Sequence, residues 1–161
     1  VILHGFSKAY AMTGYRIGYA CGPSDLIEAM MKVHQYSMLC ASSIAQAGAL
    51  EALRNGNEAR LAMKREYEER RNIIVARLNA LGMTCTTPRG AFYVFPRIPE
   101  NLGMTSKQFA ETLLKAFKVA VVPGTAFGAC GEGFVRCSYA TALDEIEIAM
   151  DRMGTFIESQ R

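Results

Sequence analysis

The chain has 161 residues, of which half are hydrophobic and a fifth are charged, and its formal net charge is +3. This length is enough for an ordinary folded core, and the composition excludes an intrinsically disordered polypeptide. The modest charge, without a dense Lys/Arg block among aromatics, argues against a nucleic-acid partner, and no apolar run is long enough to predict a membrane span.

The first part of the chain predicts two strands and a loop. Residues 1–6 and 17–21 have the apolar character of strands, and residues 8–14 lie between them. Because the chain starts with Val1-Ile2-Leu3 rather than with Met, we expect the first strand to lie inside the sheet of a longer protein.

Helical patterns follow over about residues 25–35, 42–54 and 57–81. We expect Ser24 to cap the first of these helices and Gly82 to end the third. The third helix is longer than a single small core needs, so it is predicted to bridge two domains.

The remainder, residues 82–161, predicts a compact α+β unit. Its predicted strands are residues 84–87, 91–95, 119–122 and 133–139. Thr105 and Gln108 form a capping-box pattern for one helix, and Thr141 and Asp144 are predicted to open the last.

The five cysteines show neither a C-x-x-C pair nor a zinc-ligand spacing. They are Cys21, Cys40, Cys85, Cys130 and Cys137. Reduced thiols in an intracellular protein are the simplest interpretation, and we expect them to act as small buried hydrophobes rather than as nucleophiles.

The segment from Gly5 to Gly18 carries the strongest chemical signal. Lys8 supplies a primary amine that can attack a carbonyl carbon, Ser7 supplies a hydroxyl, and Arg16 supplies a planar guanidinium for phosphate oxygens. Pyridoxal phosphate is a cofactor with this combination of an aldehyde and a phosphate. A solvated lysine with a structural arginine is the alternative.

Arg136 is the second candidate, because it lies among apolar residues on a predicted strand. A guanidinium there suits a planar carboxylate, and a structural ion pair is the alternative. Phe127 and Tyr93 are candidates to line the substrate side, although aromatics on strands more often pack in a core.

Residues 5–18, G-F-S-K-A-Y-A-M-T-G-Y-R-I-G, resemble the lysine-site signature of class I and II aminotransferases, which are fold-type I pyridoxal-phosphate enzymes. The segments G-A-F-Y-V-F-P (90–96), V-P-G-T-A-F-G (122–128) and G-E-G-F-V-R-C-S-Y-A (131–140) resemble later signatures of the same family. The likeness covers essentially the whole chain and is closest to the aspartate, aromatic and alanine aminotransferase branch.

The resemblance implies an α/β fold with three parts. Residues 1–56 would end the cofactor-binding large domain, residues 57–81 would form an interdomain helix, and residues 82–161 would form the small domain, with a mixed sheet and flanking helices. Since family members carry most of the cofactor domain before the lysine, we expect the 161-residue chain by itself to be inactive.

The resemblance also implies the roles of the site residues. Lys8 would bond covalently to pyridoxal phosphate, Ser7 and Arg16 would hold its phosphate, and Arg136 would bind the substrate α-carboxylate. The intact enzyme would be a cytoplasmic homodimer that moves an amino group between an amino acid and a 2-oxo acid. A β-lyase or decarboxylase of the same fold, or a non-catalytic module of this shape, remains an alternative.

Overall fold

The computed structural model describes residues 1–160. Residues Val1–Lys64 form one compact unit, and a second compact unit begins at Arg65. The long helix α4 (Asn57–Ala80) contains this division.

The first unit is built on a two-stranded antiparallel ribbon. Strand β1 (Ile2–Gly5) pairs with β2 (Gly18–Cys21), and the one-turn helix α1 (Phe6–Ala9) directly follows β1. Helices α2 (Ser24–Ser37) and α3 (Ser43–Asn55) complete the unit.

The core of the first unit is small. Phe6, Met12 and Ala49 are buried together. Many of its large apolar side chains are exposed; for example, Leu3 is 71% exposed and Tyr36 is 93% exposed. Hydrophobic burial therefore stabilises this unit weakly compared with the second unit.

The second unit combines a three-stranded antiparallel sheet with two amphipathic helices. Strands β3 (Tyr93–Val94), β4 (Val122–Pro123) and β5 (Val135–Ser138) are arranged in the order β3-β5-β4. Helices α5 (Ser106–Phe117) and α6 (Leu143–Ser159) cross-pack through Phe109 and Phe156, whose ring centroids lie 5.1 Å apart.

The core of the second unit is one continuous cluster of buried apolar side chains. The C-terminal half of α4 contributes Ile74, Val75 and Leu78, which lie on one face of the helix and are all buried. They pack with residues of the sheet and of both helices in a single cluster.

The helix predictions are confirmed to within a few residues, and the Thr105–Gln108 capping box forms as predicted. Two predicted caps are wrong, because Pro23 rather than Ser24 precedes α2 and Ala142 rather than Thr141 precedes α6. Neither helix has a side-chain cap.

The predicted strand at residues 84–87 is also wrong. The Asn79 side chain accepts a hydrogen bond of 3.0 Å from the Cys85 N–H and donates one of 3.2 Å to the Cys85 carbonyl. The backbone of Cys85 is thereby satisfied without a strand partner. The small domain's sheet was expected to be mixed, and all of its pairs are antiparallel.

None of the helices within residues 1–160 combines the length and the apolar character that crossing a bilayer requires.

Candidate functional site

The first cluster of candidate residues lies at one end of the β1–β2 ribbon. The ladder closes with the pair Gly5↔Gly18, and the Phe6 N–H donates a further 3.2 Å hydrogen bond to the Ile17 carbonyl. Residues that follow Gly5 and residues that precede Gly18 therefore meet at this end. The register thus places Arg16 at the same ribbon end as Ser7 and Lys8, although a loop separates it from them in the sequence.

Lys8 was predicted to lie on a loop at a strand end, and the structure places it on helix α1 instead. Tyr10 N–H donates to the Phe6 carbonyl at 3.2 Å and closes this single turn. Phe6 is the buried residue of the turn, Ser7 is half-buried, and Lys8 is exposed. The buried Phe6 anchors the backbone from which Ser7 and Lys8 project.

Arg16 is held by local geometry rather than by an ion pair. It ends a short 3-10 turn (Thr13–Tyr15) in the left-handed conformation, and its Nη1 donates a 2.8 Å hydrogen bond to the Thr13 carbonyl. No carboxylate in residues 1–160 forms a salt bridge with Arg16. The remaining N–H donors of this exposed guanidinium are available to an anion.

Two glycines permit this arrangement. A Cβ on Gly18 would lie 2.8 Å from the His4 carbonyl oxygen, and a Cβ on Gly48 would lie 3.0 Å from the Tyr15 ring. Gly18 thus allows the close strand pairing that ends at the site, and Gly48 allows α3 to approach the turn that carries Arg16.

The ribbon end therefore presents a primary amine, a hydroxyl and a guanidinium. This donor set fits a cofactor that has an aldehyde for the amine and a phosphate for the other two groups.

The second cluster lies on the three-stranded sheet of the other unit. Alternation along β5 buries Val135 and Cys137 in the core, while Arg136 between them points to the opposite face. The register Tyr93↔Ser138 places Tyr93 on the same face as Arg136. This face also carries Phe95 and Phe134, which are not fully buried.

Two aromatic rings contact the Arg136 guanidinium. Its Cζ lies 4.5 Å from the centroid of the Tyr93 ring and 4.7 Å from that of the Phe127 ring. No carboxylate within the described residues pairs with Arg136. A structural ion pair was the alternative for this arginine, and no carboxylate in residues 1–160 forms one with it.

The aromatic contacts continue beyond Arg136. Phe127 meets Phe95 edge-on at 6.0 Å, and Phe95 stacks on Phe134 at 5.5 Å with only 13° between the rings. We call Tyr93, Phe95, Phe127 and Phe134 the aromatic face. Two of its four rings, Tyr93 and Phe127, contact the Arg136 guanidinium on the side of the sheet that does not meet the core.

The loop that carries Phe127 is fixed by polar contacts that sequence reasoning missed. Ser106 is fully buried, and its hydroxyl oxygen accepts from the Gly133 N–H at 2.9 Å and lies 3.3 Å from the Gly131 carbonyl oxygen. Gly124 N–H donates to the Phe134 carbonyl at 2.8 Å. The sequence marks Ser106 only as the residue after a helix cap, so no local pattern reveals this role.

A cavity of about 370 Å³ lies elsewhere in the second unit, between β5 and α6. Ser138, Glu145 and Arg152 line it, and neither Arg136 nor the aromatic face does. The Cys137 thiol also borders this cavity, and burial raises its pKa to about 12. A thiol held protonated in this way is a poor nucleophile.

The comparisons with known proteins cover the residues of both clusters. The sequence profile of the family described as Aminotransferase class I and II matches residues 1–153. The chain is 54% identical over 157 residues to the putative aminotransferase YugH of Bacillus subtilis, and 45% identical over 163 residues to the aromatic-amino-acid aminotransferase 2 of Thermococcus litoralis.

A solved structure of an aromatic aminotransferase from Pyrococcus horikoshii matches 98% of the chain with a TM-score of 0.89 and 46% sequence identity. The alignment with the Bacillus protein covers 98% of this chain and 40% of that protein. The alignment with the Thermococcus protein covers 100% of this chain and 42% of that protein, and the Pyrococcus structure is matched over 42% of its own chain. The chain thus spans about two fifths of the length of the relatives it matches.

Proposed function

Since this chain belongs to the class I and II aminotransferases, we propose that it supplies the cofactor lysine and the substrate-carboxylate arginine of a pyridoxal-phosphate-dependent aminotransferase. The proposed reaction moves an amino group between an amino acid and a 2-oxo acid. The proposal includes a homodimer as the working enzyme and a cytoplasmic location, and five free cysteines support a reducing compartment.

The observation that carries the proposal is the convergence of Ser7, Lys8 and Arg16 at the end of the β1–β2 ribbon. The Lys8 Nζ would hold the cofactor covalently, while the Ser7 hydroxyl and the free N–H groups of Arg16 would bind its phosphate. When bound, pyridoxal phosphate supplies an electron sink that acidifies the Cα–H bond of an amino acid.

The chain's own residues have two further tasks in this proposal. The Lys8 Nζ would act as the general base that accepts the Cα proton of the substrate amino acid. Arg136 pairs with the α-carboxylate through its N–H groups and thereby orients the Cα–H bond. The other parts of the cofactor site would come from outside residues 1–161.

A labelling experiment on the 161-residue chain tests the lysine assignment. The chain is incubated with pyridoxal phosphate, reduced with borohydride and mapped by peptide mass spectrometry. Lys32, an exposed lysine on α2, is the matched internal control. We expect labelling at Lys8 in excess over Lys32, and its loss in Lys8→Arg and Arg16→Leu variants. Equal labelling of the two lysines would contradict the role of Ser7 and Arg16 in drawing the phosphate of the cofactor towards Lys8.

Activity is tested in a hybrid enzyme, in which residues 1–161 replace the matching segment of the Thermococcus litoralis aminotransferase. We expect 2-oxo acid formation that requires an oxo-acid acceptor, and Lys8→Arg should abolish it while Lys32→Arg should not. Product release without an acceptor would instead indicate a lyase or a decarboxylase.

A further inference from the structure

The side of the sheet that carries Arg136 has an unusual composition. An antiparallel sheet with one face on the core normally presents polar side chains on the other face. Here that face carries phenyl rings, with Phe95 40% exposed and Phe127, from the adjoining loop, 53% exposed. Burial in the core of the second unit does not account for these rings. Phe127, together with Tyr93 of β3, contacts the Arg136 guanidinium.

The rings hold the guanidinium without consuming its hydrogen-bond donors. A cation–π contact uses the flat face of the guanidinium, whereas a carboxylate partner would occupy its N–H edge. Arg136 has two such contacts, at 4.5 Å and 4.7 Å, and its side chain donates no hydrogen bond within residues 1–160. The guanidinium is therefore oriented by the rings, and no carboxylate of residues 1–160 neutralises it.

We propose that Tyr93 and Phe127 are positioning residues that orient Arg136 for a substrate carboxylate. This inference rests on the proposed function and adds to it two residues that act through Arg136. An unrestrained arginine loses rotational freedom when it pairs with a carboxylate, and rings that already pack on the guanidinium reduce that loss. Tyr93 and Phe127 thus favour carboxylate binding without touching the carboxylate.

The position of both rings is itself fixed. Tyr93 lies in β3, whose pairing with β5 also sets the position of Arg136. Phe127 packs edge-on against Phe95, and its loop is closed by the Gly124 hydrogen bond to the Phe134 carbonyl. The backbone positions of both rings are therefore set by the same strand pairing and loop closure that set the position of Arg136.

The first test uses the 161-residue chain and the Arg136 Nε–H resonance in NMR spectra. The probe is 3-phenylpropionate, and its uncharged amide is the control ligand. We expect the resonance to respond to the carboxylate and not to the amide. Tyr93→Leu and Phe127→Leu should each weaken the carboxylate's apparent Kd by roughly 3- to 30-fold, which corresponds to one cation–π contact.

Conservative and unrelated variants separate positioning from general packing. Tyr93→Phe and Phe127→Tyr keep a ring and should preserve the wild-type Kd. Phe117→Leu removes a ring that packs on Phe156, away from Arg136, and should also preserve it. The inference is overturned if the wild-type resonance ignores the carboxylate, or if the two leucine variants bind the carboxylate as tightly as wild type.

The second test uses the hybrid enzyme described above. The leucine variants should raise KM for the amino acid by a similar factor and leave kcat nearly unchanged, because they weaken ground-state and transition-state binding alike. An inactive wild-type hybrid with the expected NMR pattern would refute the proposed function alone. An active hybrid whose leucine variants keep the wild-type KM would refute the positioning role alone.

Discussion

Ser106 and Glu132 lie 26 residues apart in the chain, and the Ser106 hydroxyl donates a 3.0 Å hydrogen bond to the Glu132 carboxylate. The same Glu132 oxygen also accepts from the backbone N–H groups of Ser106, at 2.7 Å, and Gly133, at 3.0 Å. One carboxylate oxygen therefore ties the start of α5 to the segment that enters β5.

Acid should weaken this tie. The backbone N–H of Ser106, followed by that of Gly133, lowers the pKa of Glu132 from its ordinary value of 4.5. Because the folded state favours the charged carboxylate, its stabilisation is fully present above about pH 4.5 and is lost as the pH falls through the lower folded pKa.

We therefore expect Glu132→Gln to reduce the dependence of unfolding free energy on pH below this point. Urea denaturation of both proteins across the acid range measures it. Glu147→Gln, at an exposed position on α6, is the control. A Glu132→Gln protein with the wild-type pH profile would contradict the expectation.

Removal of the Ser106 hydroxyl should destabilise the second unit. Ser106→Ala removes the hydroxyl that donates to the Glu132 carboxylate and one of the two acceptors of the Gly133 N–H. We expect a loss of about 0.5–1.5 kcal/mol in unfolding free energy, as for a buried hydrogen bond whose remaining groups keep other partners. Thr125→Ala, exposed on the same loop, should change stability by less than about 0.5 kcal/mol.

Gly124 should tolerate no side chain. A Cβ there would collide with the Gly131 carbonyl oxygen and would lie 2.7 Å from the Phe134 carbonyl oxygen. We expect Gly124→Ala to cost about 1–3 kcal/mol in unfolding free energy. Gly90→Ala is the matched control, because no atom lies within 4 Å of the added methyl group. Similar stability of the two variants would show that the close approach at Gly124 relaxes easily.

The five thiols should react in two classes. Cys21, Cys40 and Cys130 are exposed, whereas Cys85 and Cys137 are buried, so the expectation that all five are buried is wrong for the first three. Burial raises the pKa of Cys85 and raises that of Cys137 to about 12, so neither forms the reactive thiolate at neutral pH. Timed alkylation with mass spectrometry should label the three exposed cysteines first, and the two buried ones only with denaturant. Fast labelling of Cys137 in the native protein would be inconsistent with the buried sheet face.

The Thr105 cap should contribute measurably to α5. Its hydroxyl accepts from the Gln108 N–H at 3.3 Å, and the Gln108 side chain accepts from the Thr105 N–H at 3.0 Å. We expect Thr105→Ala to cost about 1 kcal/mol in thermal or urea unfolding, and Thr105→Ser to cost little. Equal losses for both variants would indicate that the threonine methyl group, rather than the cap, matters.

Local patterns predicted the helices well and the strands less well. The capping box at Thr105 and the apolar face of α4 depend on residues a few positions apart, so their chemistry is visible in the sequence. The segment at residues 84–87 has strand-like composition, but the Asn79 side chain satisfies the backbone of Cys85 instead. Strand propensity carries no information about such a competing side-chain hydrogen bond.

The candidate site divides in the same way. Ser7, Lys8, Arg16 and Arg136 were recognisable as candidates from their residue types and neighbours, and their roles remain proposals. The sequence also marks Tyr93 and Phe127, but aromatic residues on strands more often pack in a core. Their contact with the guanidinium depends on the register of β3 with β5 and on the closure of a loop.

By itself the sequence determined the helices, the family and the residue types available for chemistry, because these depend on short spacings and on composition. Only the tertiary structure decided that Ser7, Lys8 and Arg16 share one ribbon end, that Ser106 meets Glu132, and that two rings hold Arg136. Strand register and loop closure bring distant residues together, and their energy is set by the packing of the whole unit rather than by any local segment.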